Sequence, residues 1–272
     1  MKDKEIEYIG KGLLINTNGK RILVIGDLHL GYEEALVSSG IAIGKRLYEE
    51  MIEYFDKVFE KIADDSKNKS LSSNGKVSGE EGKLINSNVN NGIVDEIVLL
   101  GDVKHVFGNI LSGEWNEVLG LFDYLEERMS KDGKIVIVKG NHDAILEPIA
   151  KKRKNVELVD YYVKGDCAFA HGNKAYGEME DKKITFWILG HGHPAIKISD
   201  RVKIEKYKCF LEGQYKDKTV IILPSFISAN EGSDPRENNL YMGWDFDLLK
   251  FNVWVVSEDL EVLDFGKLRK IK

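Results

Sequence analysis

The sequence predicts an α/β fold built from two packed sheets, and three observations carry that reading. Apolar runs stop abruptly at Gly26, Gly101 and Gly140, segments of helical periodicity separate these runs, and beyond about residue 156 the texture turns to short strands without long helices. The first run, residues 21–26, is apolar without alternation, as expected of a strand buried on both faces and ended by a sharp turn. After it, Leu47, Met51, Phe55, Val58 and Ile62 fall three or four apart and make one apolar helical face. Residues 64–92 are rich in Ser, Asn, Lys, Gly and Glu, with no aromatic residue and no periodicity, and are read as a mobile insertion. The alternation resumes with a strand at 97–101. A helical face of Trp115, Val118, Phe122, Leu125 and Met129 follows, then a strand at 134–140. This alternation of strand and helix implies right-handed crossovers and a parallel core sheet. Shorter strands at 166–170, 186–189, 195–198, 202–210, 220–223 and 246–256 form a second, mixed sheet packed on the first. No linker rich in Pro, Gly or Ser divides the halves, so residues 1–272 are read as one domain carrying the 64–92 insertion.

Composition excludes several classes. With 43% hydrophobic and 31% charged residues the chain is globular rather than disordered. Its two cysteines, Cys167 and Cys209, cannot build a disulfide framework and lack Cys-x-x-Cys spacing, so they read as buried thiols in a reducing compartment. The net charge of −6 argues against nucleic-acid binding through bulk positive charge. No apolar run approaches the roughly 18–20 residues of a membrane-spanning helix. The first seven residues are mixed in charge and lack the apolar core of a signal peptide, so a cytoplasmic chain is expected.

The chemistry lies where the strands end. The first ends in Gly26-Asp27-Leu28-His29, the second in Gly101-Asp102-Val103-Lys104-His105, and the third in Gly140-Asn141-His142-Asp143. Later strands end in Ala170-His171-Gly172 and in Gly190-His191-Gly192-His193. All six histidines of the chain fall in these five loops. Ligands collect outside the carboxyl ends of strands in open α/β sheets. In Asp27-x-His29 and His191-x-His193, alternate residues of an extended segment point the same way and reach one ion. Carboxylate, carboxamide and imidazole suit Mn, Fe or Zn, and no thiolate takes part. The donors exceed the needs of one tetrahedral ion and suit a pair about 3.5–4 Å apart. Any single Gly-Asp or Gly-His could be an ordinary turn. Five such pieces that together use every histidine are not readily accidental.

This ordered set resembles the calcineurin-like metallophosphoesterases, with motifs running from Gly26 to His193. The resemblance implies a four-layer αββα sandwich with two central mixed β-sheets. It implies one divalent ion held by Asp27, His29, Asp102 and His193, and a second held by Asp102, Asn141, His171 and His191, with Asp102 bridging. Mn2+ is the expected metal, with Fe, Zn or Ni as alternatives. His142 would face the substrate and protonate the leaving oxygen, with His105 orienting it and Asp143 holding its loop. The expected reaction is phosphodiester hydrolysis by a metal-bridging hydroxide. Because the second motif ends in His105, the chain is most similar to the SbcD-related archaeal phosphoesterases, and its substrate would then be DNA or RNA. The 79 residues after His193 leave little room for the accessory parts of the full nucleases. Two other readings stand beside it: a phosphomonoesterase or small-nucleotide phosphodiesterase, and a non-catalytic metal-binding scaffold for a protein partner or a second copy of the chain.

Other features carry smaller expectations. Lys151-Lys152-Arg153-Lys154 reads as a solvated helix end ahead of a phosphate-backbone contact. Lys104 reads equally as a phosphate contact or a surface lysine. Tyr241, Trp244 and Phe246 read as sheet packing ahead of base stacking. Ser225 has no accompanying base and is not read as a nucleophile.

Overall fold

The computed structural model describes residues 4–41, 46–73, 93–199 and 203–271. Its first sheet has six strands in sequential order: β1 (Glu5–Ile9), β2 (Gly12–Thr17), β3 (Lys20–Ile25), β4 (Val94–Leu99), β5 (Met129–Val138) and β6 (Val156–Val159). The first three form an antiparallel meander. From β3 to β6 every pairing is parallel. The crossovers carry α1 (Tyr32–Ser38), α2 (Leu47–Ser73), α3 (Ser112–Glu126) and α4 (Glu147–Ala150). The second sheet starts with β7 (Tyr162–Lys164), β8 (Cys167–Ala170) and β9 (Phe186–Leu189). It continues with β10 (Ala195–Ser199), β11 (Ile204–Tyr215), β12 (Lys218–Ile222), β13 (Asn252–Val256) and β14 (Val262–Lys267). Its order is β14-β13-β11-β12-β9-β8-β7, with β10 paired to β11. Its middle strands β8, β9 and β12 run parallel, and its outer strands antiparallel. The fold is therefore mixed α/β with two mixed sheets.

The continuous apolar runs have a direct explanation, because successive strand residues point to opposite faces and here both faces are covered. Leu23 and Ile25, Ile97 and Leu99, and Ile135 and Ile137 face the helices α2 and α3. Ile22 and Val24, Val98 and Leu100, and Val136 and Val138 face the second sheet and meet Phe169, Ile188, Phe210 and Ile221. The outer face of the second sheet packs against Met179, Leu240, Trp244, Phe251 and Leu268. These belong to short 3-10 turns (Gly177–Glu180, Leu248–Lys250, Leu268–Lys270) and connecting loops.

Several expectations change in detail. Residues 64–73, assigned to the insertion, continue α2 as helix. The sequence there carries no apolar period, and Lys67 pairs with Asp64 one turn back. The rest of that insertion, 74–92, lies outside the described residues. Met129 opens β5 rather than closing the helical face of α3, which ends at Glu126. The predicted strand at 246–256 is a 3-10 turn at Leu248–Lys250 followed by β13. β1, β2, β6, β7 and β14 were not anticipated. A signal for the β2–β3 hairpin is present in Asn18-Gly19, where both residues take positive φ, at 49° and 72°.

The helix layer and the second sheet are joined through Phe226, which follows β12 yet packs on Phe55 of α2 with ring centroids 4.3 Å apart. Phe55 is fully buried and also meets Phe59 and Tyr124. Phe55→Ala should cost about 3–5 kcal/mol, measured by denaturant unfolding; a loss below about 1 kcal/mol would show that this contact is not part of the core.

Candidate metal centre

Five loops at the carboxyl ends of strands from both sheets meet in one place. Beyond β3 and β4 the chain stays paired: His29 N donates to Asp102 O at 2.8 Å, Leu30 N to Val103 O at 2.9 Å, and His105 N to Leu30 O at 2.8 Å. From the other sheet, Gly190 N donates to His171 O at 2.8 Å, linking the loops after β8 and β9. Phe226 N donates to the carbonyls of Gly26 and Asp27. The glycines permit this crowding. A Cβ on Gly101, which sits at φ 79°, would come within 2.6 Å of Gly140 N, and a Cβ on Gly140 would collide with the Asp102 carboxylate.

The loops bring together Asp27, His29, Asp102, His142, His171, His191, His193 and Asn141. His193 Nε2 lies 3.0 Å from Asp27 Oδ1 and 3.5 Å from His29 Nε2. His171 Nε2 lies 3.4 Å from Asp102 Oδ2, 3.0 Å from Asn141 Oδ1 and 3.1 Å from His191 Nδ1. Asp102 Oδ2 also lies 3.9 Å from His29 Nε2 and 3.8 Å from His142 Nε2. Two ligand trios result, Asp27–His29–His193 and Asp102–His171–His191, each with its donor atoms within 4.8 Å of one another. A third trio, His29–His105–His142, adjoins them. Buried carboxylates faced by converging imidazole nitrogens and a carboxamide oxygen are a donor set that fits divalent cations.

The backbone is strained to achieve this. Asp27, His29, Asp102, His191 and His193 all have positive φ, between 42° and 68°. Each such residue costs of order 1–3 kcal/mol and persists only where the surroundings impose it.

The neighbouring groups set orientation and charge. His171 Nδ1 donates to Leu100 O at 2.7 Å, which leaves Nε2 to face the centre. Burial would raise the Asp102 carboxyl, but its hydrogen bond with His171 and the nearby imidazoles outweigh that and hold it well below its ordinary value. Asp27 is likewise raised by burial and lowered more by His193 and His171. Burial lowers His171, yet its bond to Asp102 and the charges of Asp27 and Asp102 lift it to about 9. His29 is pushed down to about 3, chiefly by burial.

The structure places His105, Asp143 and Lys104 as follows. His142 Nδ1 is held by the main-chain carbonyl of His105, not by its imidazole. The two rings lie side by side with centroids 5.5 Å apart, and His105 Nδ1 faces His29 Nδ1 at 3.5 Å. Asp143 is buried and reaches no ligand side chain. Its carboxylate accepts from Val103 N and Gly140 N at 3.0 Å and from Lys104 N at 3.3 Å, tying the second and third loops together. Burial raises its carboxyl to about 6. Lys104 is neither a surface lysine nor aimed at the centre. It is fully buried, and its ammonium donates to the carbonyls of Val106 and Asn109. Lys151, Lys152 and Lys154 are exposed, and Arg153 pairs with Asp123. Trp244 is core, Phe246 packs beside it, and Tyr241 is exposed.

Asn230 was missed by sequence reasoning. Its carboxamide meets His193 Nδ1 at 2.7 Å and accepts from Gly232 N at 2.8 Å. It lies far along the chain from the motifs, and no local pattern marks it.

Two outcomes are expected. Because the proton on His171 must leave before a cation takes Nε2, Mn2+ affinity should rise by about tenfold per pH unit up to about pH 9. Calorimetric titration at several pH values checks this, and a flat profile contradicts it. Asn230→Ala should weaken Mn2+ binding by about 10–100-fold, read by the same titration; unchanged affinity would show that Asn230 does not position His193.

Comparison with known proteins adds family membership. Similar solved structures include a single-substitution variant of Vps29 from Entamoeba histolytica, 13% identical, covering 90% of this chain and 99% of that one, with a TM-score of 0.33. Wild-type Vps29 from the same organism complexed with Zn2+ is 12% identical, covering 70% and 93%, with a TM-score of 0.30. No curated protein sequence matches. A family model described as calcineurin-like phosphoesterase matches residues 20–257, a span that contains every loop of the centre, and the chain belongs to that family.

Proposed function

We propose that the protein is a dinuclear metal-dependent phosphodiesterase. The observation that carries this is the position of Asp102, whose Oδ2 stands between His171 Nε2 at 3.4 Å and His29 Nε2 at 3.9 Å, so one carboxylate reaches both ligand trios. One site would use Asp27, His29, Asp102 and His193, and the other Asp102, Asn141, His171 and His191. The cations, when bound, would supply the nucleophilic hydroxide and offset charge on the phosphoryl oxygens. Mn2+ is the metal we favour, since the set is oxygen and imidazole without thiolate.

The protein's own residues supply the rest. His142 lies at the edge of the trios, its Nε2 3.8 Å from Asp102 Oδ2 and its Nδ1 held by His105 O. That bond commits Nδ1 as donor, so a proton for the leaving oxygen would sit on Nε2 of the imidazolium form, and its transfer would leave the neutral Nδ1–H imidazole. The main-chain N–H of His142 donates to Asp102 Oδ1 at 3.0 Å, so the acid and the shared carboxylate move as one unit. Asp143 fixes the loop from below through three backbone N–H groups.

Gly-Asp-Val-Lys-His at the second motif supports placing the chain with the SbcD-related phosphoesterases and DNA or RNA among its substrates, and the two buried free thiols favour the cytoplasm as its compartment. The net charge of −6 favours small phosphoesters as the second reading. No described helix is long and apolar enough to cross a membrane.

The test is a Mn2+-supplemented assay on a bis-aryl phosphate, an aryl monophosphate, and single- and double-stranded DNA. Hydrolysis of diesters is expected, and activity on the monoester alone would refute the diesterase reading. His142→Ala should lose about 10²–10⁴-fold in kcat with its metal content unchanged. A variant as fast as wild type would remove His142 from the chemistry.

A further inference from the structure

The turn after the second motif presents an aromatic ring beside the proposed acid. Phe107 is 61% exposed, and its ring centroid lies 3.7 Å from that of His142, tilted by 37°. Large apolar side chains are normally withdrawn from water, and this one stands outside all of the buried clusters.

The turn is not loose. Two fully buried charged residues hold it from beneath. The Lys104 ammonium donates to the carbonyls of Val106 and Asn109, on either side of Phe107. The Glu114 carboxylate accepts from His105 N at 2.8 Å, Val106 N at 2.9 Å and Leu111 N at 3.2 Å. Burying a lysine and a glutamate is costly unless their bonds are well made. Here both spend their hydrogen bonds on the main chain between residues 105 and 111, and the outward product of that segment is the Phe107 ring.

We infer that Phe107 is a stacking platform for the leaving group, and that the preferred substrates are phosphodiesters whose leaving alcohol carries a planar ring such as a nucleobase. This rests on the phosphodiesterase reading above. The reasoning is geometric. A leaving oxygen protonated by His142 Nε2 must lie at the edge of the His142 ring, in its plane, while the Phe107 ring covers one face of that imidazole. The group attached to that oxygen then extends past the rim of the centre, where the adjoining surface is the exposed ring of Phe107. Stacking on an aromatic face is tolerant of base identity, so the platform would select planarity rather than sequence.

The test compares KM for a deoxydinucleotide with KM for its two analogues bearing an abasic residue on one side or the other, in Mn2+. These differ in a base and not in the chemistry of the scissile ester. Wild type should show a KM about tenfold higher when the base is missing from the leaving side. Phe107→Ala should bring that ratio to about one, and Phe107→Trp should keep it. A ratio that survives Phe107→Ala, or an equal fall in kcat on all three substrates with the ratio intact, overturns the platform. If wild type cleaves all three with equal KM, the platform fails and the phosphodiesterase reading stands. If it cleaves none of the three yet hydrolyses the bis-aryl phosphate, the platform fails and the phosphodiesterase reading stands; if it hydrolyses no diester at all, both fail.

Discussion

Asp102 is the constraint on which the rest of the molecule turns. Its carboxylate is almost fully buried and accepts from the main chain of His142 while facing His29, His171 and His142 through its other oxygen. These partners come from both sheets, so the carboxylate is a buried polar tie between the two halves, in addition to the apolar core and to ion pairs such as Lys164–Glu96 nearer the surface. Asp27 does the same work beside it, accepting from His191 N and facing His193. Two buried anions this close are tolerable only among cationic or metal-binding partners. The fold therefore converges on a place that asks for positive charge.

That demand explains features that look unfavourable in isolation. Five candidate ligand residues sit at positive φ, and glycines at 101 and 140 lie back to back with no space for a side chain. The energy for such strain comes from the layered core. Each strand of the parallel sheet alternates between a helix-facing and a sheet-facing apolar residue, so both sheets are clamped and their strand ends have little freedom to relax. Strain is carried at the strand ends because that is where the chain leaves the ladder and can turn.

Around the ligands, buried polar groups fix orientation. Leu100 O sets the tautomer of His171, His105 O holds His142, Asn230 meets His193, and Asp143 ties two loops together. Lys104 and Glu114 extend the same scheme to the rim, where they stiffen the turn that carries Phe107. The acidic balance of the chain sits comfortably with phosphate chemistry in this setting, because bound cations would supply the local positive charge.

By itself the sequence determined the order of the parallel core, since apolar runs ended by glycine at 26, 101 and 140 report strands buried on both faces. It also determined the candidate ligands, because all six histidines stand in loops at strand ends, three of them in loops that also carry Asp or Asn. Both are local patterns. The meander β1–β3 was less visible, although Asn18-Gly19 marks its hairpin. The end of α2 beyond Ile62 was not legible, because the sequence there shows no apolar period. Only the tertiary structure decided what depends on approach between distant segments. It showed that the carbonyl of His105 rather than its ring holds His142, that Lys104 and Asp143 point inward to brace the loops, that Asn230 reaches His193, and that Phe107 stands beside His142. Direction, burial and partner are properties of the packed chain, and a side chain's identity alone does not contain them.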